Sequence, residues 1–255
     1  MKKSPYLLEC CVDSVESAVL SAEAGASRLE LCGNLLIGGT TPSLALFEKV
    51  REKTNIRIHV LLRPRFGDFL YSDDEFEILL REAALFREAG ADGLVIGCLQ
   101  RDGSLDHEKM AALIEAAGPL SVTLHRAFDM CADPFSTLET ARALGVSTVL
   151  TSGCKASALE GSANLKQFVQ YAKGLTIMAG AGINAAAVQR LIEEDTGLKA
   201  FHMSGKQTVC SAMQYKNPEV NMGLPGISEY ERWVTDPRQI LAVQAVLARA
   251  ALQTS

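Results

Sequence analysis

Five short apolar runs carry reactive side chains at every second position: Leu8-Glu9-Cys10-Cys11, Leu29-Glu30-Leu31-Cys32, Ile58-His59-Val60-Leu61-Leu62-Arg63, Val122-Thr123-Leu124-His125 and Phe201-His202-Met203-Ser204. Alternate residues of a strand share a face, so Glu9, Cys11, Glu30, Cys32, His59, Arg63, His125, His202 and Ser204 project to one side. The aliphatic residues between them project to the other. Such a set suits two kinds of chemistry. Carboxylates and imidazoles move protons: Glu9 or Glu30 would be the general base, His125 the general acid, with His59 and Asp129 in the same group and Arg63 and Arg65 clamping an anion. Thiols hold soft metal ions: Cys11 and Cys32 lie on neighbouring strands, about 4.8 Å apart, within reach of one Cu(I). The bland alternatives are an interior ion-pair network without a ligand, and cysteines that only fill space.

Glycines follow the late strands, as Ser152-Gly153, Gly180-Ala181-Gly182 and Ser204-Gly205. Backbone amides freed by glycine, beside a helix N-terminus, form an anion cradle, which would place Ser152, Gly153, Gly180, Gly182, Ser204 and Gly205 around a phosphate-like group. Tight strand-to-helix turns explain the same glycines equally well. Schiff-base chemistry fits poorly, because Lys155 and Lys206 lie in loops. No pair of ligands has the close spacing of a zinc finger.

Positioning these groups requires a repeat, and the chain has one. A helix end, a glycine, a polar residue and an apolar strand recur around Gly25, Gly90, Gly145 and Gly197, where glycine at the helix terminus takes the left-handed conformation. Strands are expected near 6–11, 28–32, 57–63, 93–98, 120–125, 147–152, 174–179 and 199–204. Between them stand helix starts: Asp13 with Glu16 and Ser72 with Glu75 as capping boxes, Thr41-Pro42 and Asp133-Pro134 as cap-proline pairs. Eight strands alternating with helices predict a single (β/α)8 TIM barrel over about 6–204. A doubly wound open sheet is the alternative. The extension over 205–255 reads as a long loop to 228 and a final helix after Asp236-Pro237, packed outside the barrel within the same domain. Met213, Tyr215, Met222 and Leu224 in that loop predict a homodimer contact, or a higher homo-oligomer.

Composition excludes several classes. The 255 residues are 48% hydrophobic, enough for a sizeable core. No apolar run approaches the ~18 residues of a membrane span. A net charge of -5 argues against nucleic acid or a membrane surface as partner. Seven cysteines without an even framework predict free thiols, and the absence of a secretory leader pattern predicts a cytoplasmic protein.

The motifs Glu9-Cys10-Cys11-Val12-Asp13-Ser14, Arg28-Leu29-Glu30-Leu31-Cys32-Gly33-Asn34-Leu35, Gly38-Gly39-Thr40-Thr41-Pro42-Ser43, Arg63-Pro64-Arg65-Phe66-Gly67-Asp68-Phe69, His125-Arg126-Ala127-Phe128-Asp129 and Leu150-Thr151-Ser152-Gly153 resemble the copper homeostasis protein CutC family, over nearly the whole chain. The tail Met213-Gln214-Tyr215-Lys216 completes the likeness. The resemblance implies a barrel fold, a cytoplasmic location, oligomers of two or more chains, and copper binding. Cys11 and Cys32 match family cysteines; Cys10 stands where the family usually has an aliphatic residue and inherits no metal role. Two functions follow: copper homeostasis with Cu(I) held by cysteine thiolates, or a barrel enzyme acting on a small anionic substrate, phosphorylated or not, by acid–base chemistry.

Overall fold

The computed structural model describes residues 4–220, 222–223 and 226–253. Eight parallel strands close into a barrel in chain order: β1 (Leu7–Val12), β2 (Arg28–Leu31), β3 (Arg57–Leu61), β4 (Gly93–Ile96), β5 (Ser121–Leu124), β6 (Thr148–Thr151), β7 (Thr176–Ala179) and β8 (Ala200–Met203). Helices α1 (Val15–Glu23), α2 (Leu44–Lys53), α3 (Asp73–Glu88), α4 (His107–Ala117), α5 (Pro134–Ala143), α6 (Ser162–Tyr171) and α7 (Ala185–Glu193) connect them. The open-sheet alternative fails because β1 pairs with both β2 and β8.

Alternation assigns the faces as the sequence implies. Leu8, Cys10, Leu29, Leu31, Ile58, Val60, Leu62, Val122, Leu124, Phe201 and Met203 join the large core between strands and helices. Cys11, Cys32, Leu61 and Val95 form a separate cluster inside the barrel. The repeated junction holds at Gly25, Gly90, Gly145 and Gly197, all with φ between 76° and 90°.

Helix starts are less faithful. The Ser72–Glu75 capping box and the Asp133 cap before Pro134 form as expected. Ser14, not Asp13, caps α1, and Asp13 instead accepts from the Leu35 amide at 3.1 Å. Helix α2 starts two residues beyond Thr41-Pro42, capped by Ser43, because Thr41 is drawn to Glu82 (2.7 Å) and to the Arg63 amide (3.0 Å).

The extension departs further. Its expected long loop contains β9 (Lys206–Cys210), which pairs antiparallel with β10 (Glu231–Thr235) before the last helix, α8 (Pro237–Gln253). The glycine, asparagine and proline between the two strands mask the alternation of Lys206–Cys210. The ribbon does not pack wholly outside: the Thr235 amide donates to Ser17 of α1 at 3.1 Å, and Lys206, Trp233, Val234 and Thr235 line the barrel cavity. Met213, Tyr215 and Met222 are exposed, and Leu224 lies outside the described residues.

Candidate functional site

Strand register builds the charged centre directly. Glu9 on β1 faces Arg28 on β2 and His202 on β8 as in-register neighbours. Its carboxylate accepts from Arg28 Nε and meets His202 Nδ1 at 2.7 Å. Burial alone would raise the Glu9 carboxyl; Arg28 and then His202 outweigh it and hold it at about 2. One register step further, Cys11 pairs with Glu30, and Glu30 with His59. Glu30 Oε2 lies 3.7 Å from His202 Nε2. Burial, opposed by His202 and reinforced by Glu9, pushes its carboxyl up to about 7. Burial disfavours charge on His202 itself, but Cys11 and Glu30 beside it, and hydrogen bonds to Cys11 and Glu9, hold its pKa well above the ordinary value. One donor atom each from Cys11, Glu30 and His202 lies within 4.8 Å of the others.

The other two inward-facing histidines, His59 and His125, occupy room left by glycine. A Cβ on Gly93, the register neighbour of His59, would stand 2.6 Å from the His59 ring, and a Cβ on Gly97 2.5 Å from His125. Burial, then the Arg28 charge, lowers His59 to about 4. Burial, then Arg63, lowers His125 to about 3. Both rings are neutral. His125 Nδ1 accepts from the Ala127 amide at 3.1 Å, which assigns the proton to Nε2. His125 is thereby a hydrogen-bond donor and a poor general acid at neutral pH.

A cavity of about 470 Å³ opens on this centre, with Cys11, Glu30 and His202 among its lining and Arg63, His125, Asp129, Ser204 and Lys206 around it. Arg63 is buried and ties the loop after β2 to the loop after β3, donating to the carbonyls of Gly38 (3.3 Å), Gly39 (3.0 Å) and Gly67 (2.8 Å). Asp129 lines the cavity but is saturated: it accepts from Thr151 Oγ1, Ser152 Oγ, the Ser152 and Cys154 amides and Arg126. It holds the β6 loop in place.

Several expected residues lie elsewhere. Arg65 is committed to Glu75 (2.6 Å) and Asp68 (3.1 Å), outside the cavity lining. Ser152, Gly153, Gly180, Gly182 and Gly205 do not line it either. Gly153 is a packing glycine: a Cβ there would meet the Gly161 carbonyl oxygen at 2.4 Å. The N-terminus of α7 is capped by its own Asn184, which accepts from the Ala187 amide. Cys32 is fully buried, and its thiol donates to the Val12 carbonyl at 3.4 Å. Burial, and the nearby Glu30, raise that thiol well above its usual range.

Sequence reasoning passed over Arg28, although alternation from Glu30 puts it on the inward face. It placed His202 there without a role, since nothing local shows that β8 closes against β1. Trp233 and Lys206 were hidden by a ribbon that composition disguised as loop.

Comparison with known proteins matches this frame. The model described as the CutC family matches residues 6–207. A mouse protein named copper homeostasis protein cutC homolog is 46% identical over 243 residues, 94% of this chain and 89% of its own. A CutC family protein of Bacteroides fragilis strain YCH46 is 45% identical over 238 residues, 92% of this chain and 94% of its own. The solved structure of a protein described as a copper homeostasis protein CutC, from Streptococcus agalactiae, superposes with a TM-score of 0.72 at 32% identity, over 78% of this chain and 98% of its own. The matched 6–207 segment contains Cys11, Cys32, Glu30, Arg63 and His202; β10 and α8 lie beyond it.

Proposed function

This chain belongs to the CutC family, and on that premise we propose that it is a copper-homeostasis protein that binds Cu(I) through the Cys11 thiolate, with His202 as the second ligand. The observation that carries the proposal is the convergence of Cys11, His202 and Glu30 donors within 4.8 Å at the cavity. The donor set fits the ion: Cu(I) takes sulfur and imidazole nitrogen readily and carboxylate oxygen weakly. His202 Nδ1 is fixed on Glu9, so Nε2 is the atom available to a metal, and Glu9 serves as the carboxylate that orients it. The ion would take the place of a proton on that ring, beside Glu30.

Cys32 has a lesser part in this reading. Its thiol is deep among Leu61 and Val95, and ionising it there is costly. The protein acts in the cytoplasm as a homo-oligomer in the same reading, with the exposed Met213, Tyr215 and Met222 supporting a subunit contact. A Cu(I) titration against a competing chelator under reducing conditions tests the site. Wild type should retain one equivalent per chain, Cys11→Ser and His202→Ala should lose it, and Cys32→Ser and Glu30→Gln should keep it. Retention of the full equivalent by Cys11→Ser overturns the assignment.

A further inference from the structure

Besides its thiol end, the cavity exposes a cationic group of residues that copper does not use. Arg63 is 9% exposed and lines the cavity. Its side-chain hydrogen bonds go to neutral carbonyls, and among the described residues its Nε has no partner and no carboxylate lies within 4 Å of it. A guanidinium placed only to tie three carbonyls has no need to keep its charge unanswered, because a buried ion without a counter-charge costs several kcal/mol. His125 lines the same cavity, its ring tilted 43° to Phe69 with centroids 4.7 Å apart, and its buried Nε2 has no partner among the described residues. Phe69 lies between the two, with Arg63 5.2 Å from its ring. Lys206 lines the cavity from the ribbon, its ammonium 3.0 Å from the Trp233 ring centroid, with no carboxylate partner among the described residues. Arg126, by contrast, is neutralised by Asp129 at 2.7 Å.

Two cations with no carboxylate within 4 Å among the described residues, and a histidine whose buried N–H is unpaired, thus line one space of about 470 Å³, a volume that suits a small metabolite. We propose that this cavity binds a small organic oxyanion, a phosphate ester or a carboxylate, with Arg63 as its charge partner and His125 and Lys206 as further donors. An anion there supplies the missing counter-charge in a low-dielectric pocket, where charge-assisted hydrogen bonds are strongest. The neutral His125 ring adds a donor without adding charge that the ligand would have to balance. The body of the ligand would lie along Phe69, Leu61 and Leu150, the apolar part of the lining. Binding of this kind does not depend on copper.

Trp233 is the only tryptophan of the chain and borders the cavity, so its fluorescence reports occupancy. Metal-free protein is titrated with inorganic phosphate, with malonate, and with glycerol as the neutral control. Saturable binding of one anion or both, and none of glycerol, is expected, and the preferred arm identifies the oxyanion. Arg63→Gln should weaken binding by at least about tenfold, the effect of losing one charged hydrogen-bond partner. Lys206→Met should weaken it several-fold. Should Arg63→Gln fail to fold, Arg63→Lys, which keeps the charge, and Lys206→Met carry the test. Absence of saturable binding to either anion, or wild-type affinity in Lys206→Met, overturns the proposal.

Discussion

Replacing Glu9 by glutamine removes one charge from a place where three charged groups meet largely buried. Glu9 is wholly buried, Arg28 is 5% exposed, and His202 touches the same carboxylate at 2.7 Å. The carboxyl is held at about 2 instead of near 4.5, which corresponds to roughly 3 kcal/mol of favourable interaction in the folded state. Breaking a buried pair from one side costs about 3–5 kcal/mol, because the stranded partner keeps its desolvation penalty. Glu9→Gln and Arg28→Met should therefore each lower the unfolding free energy by about 3 kcal/mol at pH 7. The double variant strands nothing, so its loss should fall short of the sum of the singles by about 2 kcal/mol. The sign with pH is fixed as well. A depressed carboxyl contributes stability above its unfolded pKa and loses it as pH falls through the folded one, so the gap between wild type and Glu9→Gln should close from about pH 4.5 towards 2. Urea unfolding followed by circular dichroism measures all three variants. Single variants within 1 kcal/mol of wild type, or a strictly additive double variant, would refute the claim that this triad is a coupled buried unit.

Two further outcomes follow from groups outside the triad. His125 is buried neutral, held at about 3 against an ordinary 6.5, so the unfolded chain takes up a proton that the folded one refuses as pH falls below 6.5. Between pH 7 and 5 the wild type should lose roughly 2 kcal/mol of stability relative to His125→Gln, measured by urea unfolding at each pH; a constant difference would remove His125 from the neutral core. Light scattering at micromolar concentration should give at least twice the 27.4 kDa of one chain, and Met213→Glu with Tyr215→Glu should return it to one chain. A wild-type protein that scatters as a single chain sinks the subunit contact.

The barrel was legible because its signals are local. Glycine at 25, 90, 145 and 197 ends a helix by its own backbone freedom, and period-two alternation sorts Glu9 from Leu8 without knowledge of any neighbour. Which inward groups sit on neighbouring strands was legible, as for Cys11 and Cys32, but the register that sets Cys11 opposite Glu30 was not. What His202 does depends on which strand closes the sheet, and that is a property of the whole chain. The glycine-rich loops are ambiguous for a related reason. A glycine that spares an anion and one that spares a neighbouring loop look alike in sequence, and at Gly153 the neighbour is the Gly161 carbonyl. Arg63 and Arg65 are two residues apart and equally charged. Only the fold shows that Glu75 and Asp68 claim the second and leave the first uncompensated.

The pairing of β1 with β8 brings residue 9 to residue 202 and spans most of the chain between them. A contact of such separation forms only after much of the intervening chain is ordered, since loop-closure entropy must be overcome before it is rewarded. Half-barrel fragments ending before β8 would carry Glu9, Arg28, Cys11 and Glu30 with an unanswered charge balance, and no imidazole between the two carboxylates. The seam thus makes the meeting of Cys11 and His202 a late event in folding: the two side chains cannot converge until the ring of strands is complete.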